Sequence, residues 1–152
     1  GAGSNTTADL LNSYEQAASS VYLVQERTYC VAAGVDGTTP ALRRLTFPYG
    51  LGAATCAANG DEMVEGVEDM QILYGEDTDA DNVANRYVPS DEVGSMENVV
   101  SVRISLLLRS VENNLTTAPA PYTYMGTTTT PPAGDLYLRK VFNATISVRN
   151  GD

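Results

Sequence analysis

The plainest signal along the chain is a two-residue alternation of apolar and polar positions. In VVSVRISLLLR, residues 99–109, Val100, Val102, Ile104, Leu106 and Leu108 fall on one side, and Ser101, Arg103, Ser105 and Arg109 on the other. Only Val99 and Leu107 break the pattern, which predicts a strand with its apolar face in the core. A second run, residues 136–149, sets Leu138, Phe142, Ala144, Ile146 and Val148 against Arg139, Asn143, Thr145, Ser147 and Arg149. Lys140 falls on the apolar side, which predicts a place near a sheet edge or a stem that snorkels to water. Residues 21–31 and 42–47 read as a hairpin, with Gly34, Asp36-Gly37 and Pro40 as its turn chemistry.

Helical signal is sparse. A short helix is expected between Ala8 and Ala18, and a turn or two from Glu62 to Glu68, where Val64 and Val67 share a face. Gly66 weakens the second by about 1 kcal/mol, and MQILYG after it reads as strand. Residues 110–135 hold four of the seven prolines and the run TTTTPP, which predicts a long, loosely ordered loop. The expected fold is therefore mainly β, an antiparallel sheet with little helix. The opening GAGS reads as an expression scar, and residues 5–152 as a single domain, a size able to bury roughly 70% of its unfolded surface.

Composition narrows the chemistry. Nine basic residues against 19 acidic ones give a net charge of −10. Nucleic acid and anionic membrane surfaces are therefore poor partners, since both require a basic face. Histidine is absent, which removes His-based triads and His-ligated zinc. Cys30 and Cys56, separated by a turn-rich stretch, suit a disulfide and an oxidising compartment; two free thiols are the alternative. No apolar run reaches 18 residues.

Acidity is concentrated. Residues 61–97 carry 12 of the 19 carboxylates and a single base, Arg86. Within them, Asp77, Asp79, Asp81, the carbonyl of Val83 and Asn85 take offsets 1, 3, 5, 7 and 9 of a calcium loop. Alternating oxygen ligands allow one bend to converge on a hard cation. Asn82 stands where such a loop has glycine, and Asn is the residue that best tolerates the left-handed conformation after Gly. Val88 replaces the bidentate Glu, so Asp91 or Glu92 would close the shell. The site would be a structural calcium site, and the plainer alternative is a solvated acidic turn that caps its own backbone.

Weaker constellations accompany it. Glu65 and Asp69 form a carboxylate pair of the kind used in glycoside hydrolysis, though acidic chains supply such pairs by chance. Tyr122 and Tyr124 would make a stacking platform or simply pack the loop. Asn5, Asn114 and Asn143 head glycosylation sequons, the last in mid-strand. Arg103, Arg109, Arg139 and Arg149 share the polar side of the two alternating runs. On one surface they would oppose the acidic stretch and meet an acidic partner.

Three segments also carry a resemblance. EMVEGVEDMQILYGEDTDADNVANRYV, NVVSVRISLLLRS and LRKVFNATISVRN, in that order from about Glu62 to Asn150, resemble the C-terminal half of PilW-type minor pilins of type IV pili. A weaker similarity in layout extends to the J-type minor pseudopilin of type II secretion. Glycines commonly separate the acids of the family's aspartate-rich stretch; here Ala80 and Asn82 stand in those places. The resemblance implies a pilin-like domain and a non-enzymatic subunit, with an N-terminal hydrophobic helix in the inner membrane that this sequence lacks. It implies other minor pilins and the major pilin as partners, first at the periplasmic side and then at the pilus tip. A calcium-dependent adhesin or carbohydrate-binding module is the alternative.

Overall fold

A computed structural model of the chain describes residues 25–46 and 52–148. The expected helix at 8–18, along with Asn5 and Arg149, lies outside them. The first described elements are the strands β1, Arg27–Ala33, and β2, Pro40–Thr46, paired antiparallel. This is the expected hairpin, its turn drawn a few residues tighter. Asp36 closes it: its carboxylate accepts from the N–H groups and hydroxyls of both Thr38 and Thr39. Pro40 has no N–H to give a ladder and sits at the first residue of its strand.

A helix then appears that the periodicity did not mark, α1, Ala53–Asn59. AATCAAN is rich in the best helix former but too short to show an amphipathic period. Cys56 in this helix is fully buried and joined to Cys30 of β1, confirming the expected disulfide. The two half-cystines and Leu45 form a small core. Closing that loop stabilises the fold by roughly 3–4 kcal/mol on the chain-entropy account.

The turn expected at Glu62 to Glu68 is not helical. It is two strands, β3, Asp61–Glu65, and β4, Val67–Glu76, meeting at Gly66. A two-turn helix with a central glycine cannot repay its nucleation, whereas an extended chain finds ladder partners on both sides. Gly66 has φ 79°; its N–H donates to the Pro40 carbonyl and its own carbonyl accepts from Arg109 N–H, both at 2.7 Å. A Cβ here would overlap the Arg109 carbonyl oxygen. Both the sign of φ and the close approach demand glycine. Gly66 thus couples the sheet β1-β2-β3 to a second sheet.

That second sheet has the order β5-β4-β6-β9, all antiparallel, with β5 at Arg86–Val88, β6 at Val99–Arg109 and β9 at Arg139–Ser147. The region 110–135 is more ordered than its prolines suggest. It holds a hairpin of β7, Tyr122–Tyr124, and β8, Thr127–Thr129. Thr and Tyr favour strands, and the prolines flank the pair rather than interrupt it. Met125 and Gly126 both have positive φ, 49° and 78°, the twist-matched two-residue turn.

The sheet's two faces are not covered as the alternation suggested. Val99, Ser101, Ser105 and Leu107 are the buried residues of β6, while Val100, Val102, Ile104, Leu106 and Leu108 are only half-buried. Register builds three apolar rows across three strands: Met70, Leu106 and Phe142; Ile72, Ile104 and Ala144; Tyr74, Val102 and Ile146. Of these, Ile72 is 37%, Phe142 47% and Ile146 55% exposed. Lys140 keeps its expected place on the edge strand, its ammonium 5.2 Å from the Phe142 ring centroid. The polar face is the interior one because other segments of the chain fold over it.

Candidate functional site

Two regions concentrate polar chemistry, the covered face of the larger sheet and the acidic loop beyond β4. On the covered face Arg139 sits at the centre. Its Nε donates to Glu68 Oε2 at 2.7 Å and its Nη1 to Asp135 Oδ1 at 2.8 Å, with Nη2 bridging both carboxylates. Only 7% of its side chain is exposed. Glu68 also faces Arg109 at 3.7 Å, and Arg109 lies 4.1 Å over the Tyr137 ring. Hydrogen bonds from Arg139 lower the pKa of Asp135, and those same bonds, first to Glu68, raise that of Arg139.

This arrangement corrects the expectation of a free arginine surface. Arg109 and Arg139 are consumed within the molecule, pinning the 110–138 segment onto the sheet. Arg103 alone of the three described residues has no carboxylate partner, and stacks 3.7 Å from the Tyr87 ring centroid. Glu68, Asp135, Tyr87 and Tyr137 were not singled out by sequence reasoning. The spacing of Asp135 and Arg139 was the only local hint, and it is a helical spacing in a segment without helix.

Tyr122 and Tyr124 serve the same cover. Tyr124 hydroxyl donates to the Ser105 carbonyl at 3.1 Å, and burial, with Asp69 nearby, pushes its pKa up to about 12. The Tyr122 ring lies 5.3 Å from the Arg139 guanidinium. These contacts match the loop-packing alternative. Asn143 accepts from the Ser105 hydroxyl at 2.6 Å, an internal bond for the mid-strand sequon. Asp69, on β4, is held by Met70 N–H and the Gln71 amide, and Glu65 ends the separate strand β3.

The acidic loop begins where β4 ends. Glu76 is buried and accepts two bonds from Arg86 and one from Ser95 N–H, and these hold its pKa low. Asp77 is buried as well. Burial opposes its ionisation, but N–H groups of Asn82, Asp79 and Ala80 outweigh that and lower its pKa. Ala80 and Asn82 take positive φ, 63° and 64°, and Asn82 thereby adopts the conformation expected of it. The loop so formed brings carboxylate oxygens of Asp77, Asp79 and Asp81 within 4.8 Å of one another.

Such a group suits a metal ion. Calcium ligands stand 2.3–2.6 Å from the ion, so two of them lie at most about 5 Å apart, and three oxygens this close can share one. The donor set is all oxygen, which selects a hard cation. The other sequence-nominated ligands are placed differently. Asn85 Oδ1 accepts from Thr78 N–H and hydroxyl, and Asp91 lies outside the cluster. Glu97 and Asn98 instead line a cleft together with Asp77 and Asp79.

The family model described as Type IV Pilus-assembly protein W matches residues 28–150. The chain belongs to the PilW family. No curated protein and no solved structure matches it. PilW membership assigns the chain to type IV pilus assembly, hence to the cell envelope and to pilin partners in general. Among the described residues no helix of this PilW chain is long and apolar enough to cross a membrane. The three segments that carried the resemblance are β3 to β5, β6 and β9, which make up the larger sheet with its acidic loop and the edge strand β3 of the smaller sheet.

Proposed function

We propose that this chain is a minor pilin, a non-enzymatic subunit that joins other minor pilins in a complex priming type IV pilus assembly and then remains at the tip. The observation that carries the reading is the apolar face of the four-stranded sheet, left open among the described residues. Three apolar rows left half in water are unusual for a monomer and ordinary for a subunit awaiting its neighbours. Its path runs from the periplasmic side of the inner membrane, with an apolar N-terminal helix as anchor, to the outside of the cell. Residues 5–152 act as one pilin-like domain. Co-purification with soluble domains of the other minor pilins from the same genome tests this. Stable co-elution, lost on substituting Ile104→Asp, supports the assembly subunit. Monomeric elution in every pairing sinks it.

The acidic loop belongs to the same proposal as a structural calcium site built on Asp77, Asp79 and Asp81. Its observation is the convergence of three carboxylates on a loop already shaped by backbone bonds to Asp77. Millimolar calcium should raise the Tm, since an ion that binds only the folded state stabilises by mass action. EDTA should reverse the rise, and Asp79→Asn with Asp81→Asn should abolish it while leaving the Asp77 bonds intact. An unchanged Tm in calcium overturns the site.

A further inference from the structure

We propose that the cleft between β4 and the β7–β8 hairpin is a lysine-binding site, where Asp69 receives the ammonium group of a side chain from a neighbouring pilin. The cleft holds about 380 Å³ and is lined by Asp69, Gln71, Leu107, Tyr122, Tyr124 and Met125 among others. The charges on this face show what is missing from it. Arg109 and Arg139 stand against Glu68 and Asp135, two cations for two anions. Arg103 stacks on Tyr87 and lines a different groove, with Thr123 and Asn143. Asp69 pairs with no cation among the described residues.

The hydrogen bonds of Asp69 say what kind of cation fits. Its Oδ1 accepts from Met70 N–H at 2.7 Å and from the Gln71 amide at 3.1 Å, whereas Oδ2 has only a 3.4 Å contact with that same amide. One oxygen is committed and the other is open. A guanidinium fork uses two carboxylate oxygens, but an ammonium is a point charge that one oxygen satisfies. A calcium ion would need a shell of about six oxygens or more, and the cleft offers one carboxylate. Beside that carboxylate, buried Leu107, Met125 and the two tyrosines form an apolar wall. The alkyl stem of a lysine lies along such a wall while its head reaches the charge.

The strand order leaves the cleft open to such a guest. β5 pairs with the outer side of β4 only from Tyr74 to Glu76. Asp69 and Gln71 lie before that stretch, on a length of β4 whose outer side carries no paired strand among the described residues. A side chain therefore reaches Asp69 past the edge of β4 without parting the sheet. The net charge of −10 draws any basic partner, but beyond about 8 Å that field is screened at physiological salt. Selectivity is therefore a property of the cleft.

The proposal deepens the assembly reading, on which it rests for the partner, and its test is separable from it. The isotope-labelled 152-residue chain is titrated with the end-blocked peptide Thr-Lys-Thr-Lys-Thr, with the same peptide acetylated at its lysines, and with putrescine. The Lys peptide should shift the Asp69 carboxyl carbon, the Gln71 side-chain amide and the Met125 methyl. Binding should weaken more than about tenfold with the acetylated peptide or in Asp69→Asn, as loss of a charge-assisted bond implies. Met125→Lys, which sets an ammonium of the chain's own at the cleft, should block binding in a chain that melts no lower, which separates lost binding from lost folding. Absence of any shift overturns the site, as does equal binding of the acetylated peptide. Shifts centred on Asp79 and Asp81 and indifferent to Asp69→Asn reveal bulk charge attraction and overturn it too. Putrescine binding as tightly as the peptide overturns the protein partner and makes the guest a free amine. Peptide binding beside failed co-elution with other minor pilins would sink the assembly reading and leave this site standing. Co-elution beside a peptide that does not bind would sink the site alone.

Discussion

On one face of the four-stranded sheet, Ser101 is buried beside Tyr87, and Ser105 and Leu107 are buried under the cover made by Tyr124 and the Arg139 network; on the other, Ile72, Phe142 and Ile146 stand well out in water. The same strands make both. The covered face is polar because its cover is made by ion pairs, stacked guanidinium groups and tyrosine hydroxyls, most of them partnered within the chain, with Arg109 Nε buried there unpartnered. Among the described residues, the apolar face has no such cover. What the contrast teaches is that, in this molecule, finish and hydrophobicity have come apart. The finished face holds the subunit together, and the unfinished one is where another surface belongs.

Arg139→Leu should break the contrast hardest. It leaves Glu68 and Asp135 with little water and only the longer contact of Arg109, 3.7 Å from Glu68, to offset their charges, a change worth about 3 kcal/mol. Urea unfolding at pH 7 reads it directly. Adding Glu68→Gln and Asp135→Asn should restore most of the loss, because the unpaired charges and not the missing side chain carry the penalty. A loss below about 1 kcal/mol would mean that tyrosine packing, and not the ion network, holds the cover.

Acid should loosen the same face and the loop beside it. Asp135, Glu76 and Asp77 all have lowered pKa values in the folded chain. A lowered folded pKa means the unfolded chain binds protons first, so stability is complete above the ordinary carboxylate range and is lost as pH falls through the folded values. Tm should be level from pH 7 to about 5 and drop below about 4. Asp135→Asn should make that drop shallower. An equal slope in the variant would remove Asp135 from the account.

Tyr124→Phe is a smaller cut into the cover. Losing its bond to the Ser105 carbonyl should cost about 1 kcal/mol. Its raised pKa has the opposite sign from the carboxylates: stability is present below about pH 10 and fades as pH rises toward about 12. Wild type should therefore lose stability over that alkaline window, and Tyr124→Phe should lose less of it. Parallel alkaline melts would show that another tyrosine carries the effect.

Much of the larger sheet was legible in the residues. The bounds of β6, residues 99–109, follow from alternation alone, and β9 differs from its reading only at the ends. Alternation says that two faces differ, however, and not which one is covered. That depends on Tyr87, Glu68, Asp135 and Tyr137, which reach the face from separate segments and carry no period. Val99 and Leu107, the two residues that broke the pattern, are the buried ones, so the exceptions pointed to the true interior. In the acidic loop, spacing alone brought Asp77, Asp79 and Asp81 together. That Asp77 is buried and organises the loop through three N–H groups is a property of the folded bend, invisible in spacing. The Gly66 junction was misread for a similar reason: its helical neighbours in sequence, Val64 and Val67, belong to strands of different sheets.

The smallest stability effect is expected where the consequence for assembly is largest. Ile72→Thr, Phe142→Thr and Ile146→Thr keep strand-favouring or small residues on β4 and β9 while removing apolar surface from the open face. Each side chain is already more than a third exposed, so each change should move unfolding free energy by no more than about 0.5 kcal/mol. Binding of a hydrophobic dye should fall, because the surface it reports has been removed. Co-elution with other minor pilins should fall with it, since that same area would have been buried on docking. A triple variant that unfolds would show the face to be part of the subunit's own core, and the contrast between the faces would disappear. One that stays folded and still co-elutes would move the partner to another surface of the subunit.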